Sequence, residues 1–310
     1  MDIFEAKSIS PMLIGAEGPA FDSADYIHEL KLDGVRCLAY LDKGGVELRN
    51  KRNLRVAPIY PELADIHRQV KHRCILDGEL IVMKGGVPAF AEIQRRALMS
   101  DPFKIRLAAE KLPVSFTAFD ILYDKDGLVN ERPLMERKAL LAAAVSESDR
   151  LSVSRYIEER GAALYALAER NGLEGIVSKR RDSLYHFGKR TRDWIKAKNL
   201  LDDDFVICGF IRKEKGVVSL VLGQYGSGEF QYKGHVTLGV GGRDLERISA
   251  APVRDKAPFS TVPKGNERAT WLEPNLVGTV KFMERTASGS LRQPVFKGLR
   301  DDKAPEDCVV

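Results

Sequence analysis

The stretch that decides the reading is His28-Glu29-Leu30-Lys31-Leu32-Asp33-Gly34-Val35-Arg36. The apolar run from Tyr26 to Leu32 predicts a strand, Asp33-Gly34 is a turn pair, and a second apolar run starts at Val35. A strand ending in Lys, a tight turn and then Arg would gather an ammonium, a carboxylate and a guanidinium around one concavity, a trio suited to phosphoryl chemistry. An amine attacks only when deprotonated, and a free Lys with a pKa near ~10.4 is less than about 0.1% neutral at pH 7. The site would therefore have to depress that value by desolvation or by nearby cations. A lysine beside a glycine turn is ordinarily a solvated turn residue, so its case rests on what accompanies it.

Working outward, short apolar runs at Val35 to Leu41, Val46 to Leu48 and Ile75 to Met83 read as strands of a mostly antiparallel sheet. Turns at Asp42-Lys43-Gly44-Gly45 and Lys84-Gly85-Gly86 join them. Amphipathic patterns predict helices over Pro61 to Val70, Phe90 to Met99, Leu134 to Ala144 and Gly161 to Asn171, and Val114 to Tyr123 reads as a buried strand. The first part is α+β. Near Leu200 the texture changes to short strands with glycine turns, at Phe205 to Ile211, Val217 to Gln224, Phe230 to Val236, Trp271 onward and Val277 to Glu284. These suggest a small closed barrel, with the boundary at about 199–203.

Four further clusters supply what a lysine nucleophile needs. Leu76-Asp77-Gly78-Glu79-Leu80 and Leu173-Glu174-Gly175-Ile176-Val177-Ser178-Lys179 embed acids in apolar strands, where a lone carboxylate is costly and calls for a partner. Ala118-Phe119-Asp120-Ile121-Leu122 puts a ring and a carboxylate on opposite strand faces, and Trp194-Ile195-Lys196-Ala197-Lys198 puts two lysines on one face. Any one of them would read as an ordinary ion pair. Their joint occurrence does not.

In this order the clusters resemble the nucleotidyltransferase superfamily, most closely the ATP-dependent DNA ligases and, among these, the ligase module of bacterial end-joining ligases. The K-x-D-G-x-R motif matches Lys31 to Arg36, and the other elements fall on Asp77-Gly78-Glu79, Phe119-Asp120, Glu174 to Lys179 and Trp194 to Lys198. The resemblance implies an adenylylation domain with antiparallel sheets over residues 1–200 and an all-β OB-fold over 201–310. It implies that Lys31 attacks the α-phosphate of ATP and holds AMP, that Glu29 accepts from the adenine amino group, and that Phe119 stacks on the base. Arg36 would approach the phosphate, while Glu79 and Glu174 would serve the ribose and a Mg²⁺ or Mn²⁺ ion. Lys196 and Lys198 would bind the α-phosphate, with Arg190 as a further ATP contact. The family's S-R-N-G-like element, which contacts ribose and nick phosphate, corresponds to Arg49-Asn50-Lys51-Arg52-Asn53-Leu54; counting back from Tyr60-Pro61-Glu62-Leu63 favours Arg52 over Arg49, and the glycine is absent. Leu291 to Lys303 resembles the last ligase motif, with Arg300 and Lys303 orienting the pyrophosphate. The expected substrate is nicked or broken duplex DNA. No separate N-terminal DNA-binding domain is expected, which suggests recruitment by a Ku-like end-binding protein.

The rival enzymes sharing this lysine chemistry are an RNA ligase and an mRNA-capping guanylyltransferase. Glu29, as an acceptor at the base edge, pairs with the adenine amine and would face an unpaired acceptor at guanine O6. A binding protein with an inactive pocket would have lost the lysine or a metal acid, and all are present. Composition agrees without deciding: 310 residues allow two domains, and a net charge of +5 permits nucleic-acid binding only through local concentration of cations. Cys37, Cys74, Cys208 and Cys308 form no C-x-x-C pair, the N-terminus has no apolar signal region, and no run approaches a membrane span. A monomeric cytoplasmic protein, associated with the nucleoid when acting, is expected.

Overall fold

The computed structural model describes residues 2–226, 229–286 and 289–310. They form two compact units, Met1–Asn199 and Leu200–Val310.

The first unit is built on two sheets. In one, the strand order is Leu13–Glu17, Arg190–Lys198, Gly175–Arg180, Ser23–Leu30 and Tyr156–Glu159, antiparallel except for the first pair. In the other, Gly45–Asn50, Val35–Asp42, Cys74–Lys84, Val114–Asp124 and Gly127–Leu128 run antiparallel, with Val87–Pro88 and Leu151–Val153 attached beside the path. Strand alternation explains where the cores sit. Along Val35–Asp42, Cys37, Ala39 and Leu41 point into a core with Leu63, Ile93 and Leu141, whereas Leu38 and Tyr40 point the other way. That second face packs with Val177 and Trp194 from the first sheet, so the two sheets share a core that also takes Phe4, Met12 and Tyr185.

Local sequence accounts for most elements. Asp42 Oδ1 accepts from Gly44 N at 2.7 Å in the expected hairpin turn. The helices Phe90–Ala97, Leu134–Ala144 and Gly161–Arg170 lie where the patterns placed them. The helix expected over Pro61 to Val70 is instead two short 3₁₀ turns, Pro61–Leu63 and Ile66–Gln69. Pro58 and Pro61 remove amide donors at its start, and Leu63 and Ile66 are anchored separately in the core. A helix at Pro102–Lys111 went unread, although its signal is local: Asp101 caps it through Phe103 N and Lys104 N, with Pro102 in its first turn. The strand before the lysine ends at Leu30, earlier than the apolar run suggested.

In the second unit the sheet order is Glu229–Val236, Val218–Gly226, Leu201–Arg212, Val277–Phe282 and Val295–Arg300. A parallel bridge from Leu238 to Val295, with Phe296 N donating to Leu238 O at 2.8 Å, links the last strand back to the end of the first. The result is a closed five-stranded barrel around Phe205, Leu220, Leu222, Val280 and Phe296. Two features were not anticipated: the helix Gly242–Ser249 in an otherwise β unit, and the strand at Val295–Arg300. All four cysteines are free and buried. No helix is long and apolar enough to cross a membrane among the described residues.

Candidate active site

Strand register assembles the floor of a cavity in the first unit. Val177 pairs with Glu29 on one side and with Lys196 on the other, so three strands present these side chains in a row. Gly175 pairs with Lys198 and Lys179 with Trp194, which extends the same face by two positions each way. On the second sheet Arg36 pairs with Glu79, again neighbours on one face. The cavity of about 490 Å³ is lined by seven of the expected residues: Glu29, Lys31, Arg36, Glu79, Phe119, Arg190 and Lys196.

Lys31 follows the strand Ser23–Leu30, and its amide donates to Gly175 O at 2.9 Å. Its Nζ lies 2.7 Å from Glu174 Oε1. Burial pushes the carboxyl of Glu174 up despite Lys31 beside it. Glu79 is pushed up to about 8 by burial, against the pull of Lys31 and Arg36. Two carboxyls disfavoured as anions beside one ammonium are groups that a further positive charge would ionise. No group of three or more His, Cys, Asp or Glu side chains that could hold a metal occurs among the described residues. Gly34 allows the turn to approach: a Cβ there would lie 2.3 Å from Leu80 O and 2.8 Å from Glu79 Cγ.

Arg36 forms a two-point fork on Asp77, Nε to Oδ1 at 3.0 Å and Nη2 to Oδ2 at 2.6 Å. Burial opposes its charge, but Asp77, Tyr185 and Glu79 together outweigh burial and keep it cationic. Asp77 stands opposite Asp120 in the ladder. Each of these like charges is neutralised separately, Asp120 by a fork from the fully buried Arg137. Phe119 carries the Arg36 guanidinium 5.3 Å from its ring centre and Lys179 Nζ at 4.4 Å.

Around Glu29, Lys179 Nζ donates to Oε2 at 3.1 Å, Ser154 Oγ donates to the same oxygen at 2.9 Å, and Lys138 pairs with Oε1. Burial would raise the Glu29 carboxyl, but Lys138 and Lys179 more than reverse this and hold it below its ordinary value. Burial in turn pushes Lys179 down to about 8. Lys196 lies 3.0 Å from Glu17 and Lys198 3.9 Å from the same carboxylate. Burial and the neighbouring Lys196 lower Lys198. Arg190 Nη1 donates to Ile14 O at 2.7 Å.

Three expected residues lie elsewhere. Arg52 is on an exposed turn and does not line the cavity; Lys51, one residue earlier, does. Asn50 Oδ1 accepts from Arg52 N and Leu54 N, and Asn53 takes the left-handed conformation (φ 59), which an Asn tolerates. Arg49 is committed to Glu47 at 2.9 Å and to Asn53 O. Arg300 and Lys303 belong to the second unit, where both pair with Asp204 Oδ2, at 2.8 and 3.0 Å. Glu174 and Lys198 adjoin the cavity residues without lining it themselves. Sequence reasoning assigned no role to Lys51, Lys138, Ser154 or Lys179. Alternation along Gly175–Arg180 could have found Lys179, whereas Lys138 arrives from a helix and Ser154 from a loop, with no local signal.

Residues 16–198 match the family model "ATP dependent DNA ligase domain", and residues 213–303 match "ATP dependent DNA ligase C terminal region". The multifunctional non-homologous end joining DNA repair protein LigD of Mycobacterium tuberculosis is 34% identical over 99% of this chain, which spans 40% of that protein's length. Two solved structures each cover 98% of the chain with a TM-score of 0.57. One is a mycobacterial DNA ligase D complexed with ATP and MES, 33% identical over 98% of its own length. The other is the ligase domain of M. tuberculosis LigD, 30% identical over 99% of its own length.

Proposed function

Because the chain belongs to the ATP-dependent DNA ligase family, with a nucleotidyltransferase domain followed by an OB-fold, we propose that it seals nicks or breaks in duplex DNA through a covalent AMP on Lys31. Residues 1–200 carry adenylylation and 201–310 the OB-fold. The observation that carries this reading is a single cavity lined by Lys31, by the cations Arg36, Lys51, Arg190 and Lys196, and by Glu29, Lys179 and Phe119.

The pair Glu29 and Lys179 supports adenine. Adenine presents a donor at its 6-amino group and an acceptor at N1, complementary to a carboxylate and an ammonium. Guanine presents the reverse, O6 as acceptor and N1–H as donor, and would leave both side chains mispaired. This favours a ligase over a guanylyltransferase. Phe119 offers its ring to the base.

In the first step the Lys31 amine attacks the α-phosphorus of ATP; the N–P bond forms, the bond to pyrophosphate breaks and the amine gives up its proton. Arg36, Lys196 and Lys198 stabilise negative charge developing on the phosphoryl oxygens. A 5′-phosphate of DNA then takes AMP from Lys31, and the 3′-hydroxyl attacks that activated phosphate with release of AMP. Lys51 contacts the ribose or the nick phosphate, in the place expected of Arg52. Arg300 and Lys303 orient the pyrophosphate in the first step. Glu79 and Glu174 would hold a Mg²⁺ or Mn²⁺ ion through hard carboxylate oxygens. When bound, that ion supplies further positive charge at the phosphates and restores the charge of both carboxylates.

The relatives' printed role in non-homologous end joining supports action in end joining. We further propose that the chain acts as a monomer in the cytoplasm near the nucleoid, with a Ku-like end-binding protein as partner. The deciding experiment is incubation with α-labelled ATP or GTP and Mg²⁺, with and without Lys31→Ala. Acid-stable label from ATP alone, lost in the variant, is expected; label from GTP, or label that survives the substitution, overturns the proposal. Sealing of nicked DNA but not nicked RNA then separates it from an RNA ligase.

A further inference from the structure

The two reactive cations of the cavity stand on different sheets. Lys31 continues a strand of the five-stranded sheet and is tied to it through Gly175 O, whereas Arg36 lies on Val35–Asp42 of the seven-stranded sheet. Their spacing therefore depends on what joins the sheets near Arg36. Apolar contact fills the shared core, but it is not directional.

At Arg36 and Asp77 a directional contact comes from Tyr185. It lies in the segment joining Gly175–Arg180 to Arg190–Lys198, both strands of the five-stranded sheet, and is fully buried. Its hydroxyl donates to Asp77 Oδ2 at 2.6 Å and accepts from Arg36 Nη2 at 3.3 Å and from Met12 N at 2.9 Å. The Met12 amide fixes the lone pair, which turns the hydroxyl hydrogen toward Asp77. Asp77 thus accepts three bonds, two from Arg36 and one from the opposite sheet. The Tyr185 ring is held edge-on by Trp194 (5.9 Å between centres) and packs at a tilt on Phe187 (5.7 Å), so the hydroxyl cannot follow Asp77 if Asp77 moves.

We propose that Tyr185 is the positioning residue for Arg36: through Asp77 it holds the guanidinium in place relative to Lys31, so that attack at phosphorus meets a preorganised charge. Tyr185 does not line the cavity and touches no reacting atom, so its effect falls on the transition state rather than on nucleotide binding. This inference rests on the Lys31-adenylylation reading.

The test is a cycle of Tyr185→Phe and Arg36→Lys in the full chain, reading single-turnover transfer of labelled AMP to Lys31 together with ATP affinity in a Lys31→Ala background. Expected is a loss of rate of about tenfold for Tyr185→Phe, ATP affinity within about twofold of wild type, and no further loss once Arg36 is Lys. Equal losses in both Arg36 backgrounds, or a fall in ATP affinity that matches the fall in rate, would overturn it. If Tyr185→Phe does not fold, 3-fluorotyrosine at 185 keeps the hydroxyl and makes it more acidic at the cost of one small ring substituent; a rate change confined to the Arg36 protein supports the proposal, and the same response in the Arg36→Lys protein sinks it. A wild-type chain that takes no label from ATP refutes the adenylylation reading instead.

Discussion

Glu29 and Lys179 meet at 3.1 Å on the wall of the cavity, with both side chains only 3% exposed. Lys138, also 3% exposed, closes on the other oxygen of the carboxylate. A buried acid between two buried lysines is stable only as a set, because losing the central charge leaves two cations without water or partner. In the proposed reading the same set meets the base edge, so stability and nucleotide choice would depend on the same atoms.

Glu29→Gln should therefore reduce both. Breaking a buried charge network by removing one partner costs on the order of 3–5 kcal/mol, and the amide would no longer be a pure acceptor for the adenine amine. A lower midpoint in thermal melts and a narrowed preference for ATP over GTP in binding titrations are expected. Unchanged discrimination would place the base elsewhere.

Lys179 should give ATP binding an alkaline limb. Its ammonium, pushed down to about 8 by burial, faces Glu29, Lys138 and Asp120. Below about 8 it is charged and donates to adenine N1 at full strength; above that value it loses the proton and the bond weakens. Calorimetry on the Lys31→Ala protein removes the covalent step, and there the ATP dissociation constant should rise between pH 7 and 9. A flat profile would remove Lys179 from the base site.

The turn after Gly45–Asn50 offers a direct comparison between adjacent cations. Lys51 lines the cavity and Arg52 does not, so Lys51→Ala should slow AMP transfer or nick sealing by about tenfold, whereas Arg52→Ala should change either step by less than about threefold. Step-resolved sealing assays on a nicked duplex read both. The opposite ranking would restore Arg52 to the role counted for it.

Asp204 should make the barrel unit acid-sensitive. Burial would raise its carboxyl, but the hydroxyl of Thr279 at 2.6 Å and the cations Lys303 and Arg300 hold it below its ordinary value. The folded unit thus prefers the ionised form, and the stabilisation is complete above the ordinary Asp value near ~4 and drains away as pH falls through the lowered one. The chain has two tryptophans, Trp194 and Trp271. In a Trp194→Phe background Trp271 reports the barrel, where Asp204→Asn should cost stability at pH 7 and flatten the loss on acidification.

Much of the site was legible before folding because each of its motifs lies within one strand or one turn. Lys31 to Arg36, Asp77 to Glu79 and Trp194 to Lys198 show their residues by spacing alone, and alternation assigns the faces. Where local pattern and structure differ, a neighbour in space decides. Pro61 to Val70 has a helical spacing of apolar residues, yet prolines and two separate anchor points divide it into 3₁₀ turns. Arg52 was chosen by counting, but the side chain of Asn50 and the left-handed Asn53 set the turn so that Lys51 lines the cavity.

The amino-acid order by itself determined the lysine proposed as nucleophile, the acids and cations that accompany it, and the division near residue 200, since these are written in short segments whose local periodicity survives any packing. Only the tertiary structure decided which partner each charge takes. Arg36 found Asp77 and Tyr185, 41 and 149 residues away, Glu29 found Lys138 and Lys179, and Arg300 with Lys303 found Asp204. A charge removed from water must be paired wherever the sheets bring one within reach, and that choice depends on register and on the meeting of two sheets, which no local pattern encodes.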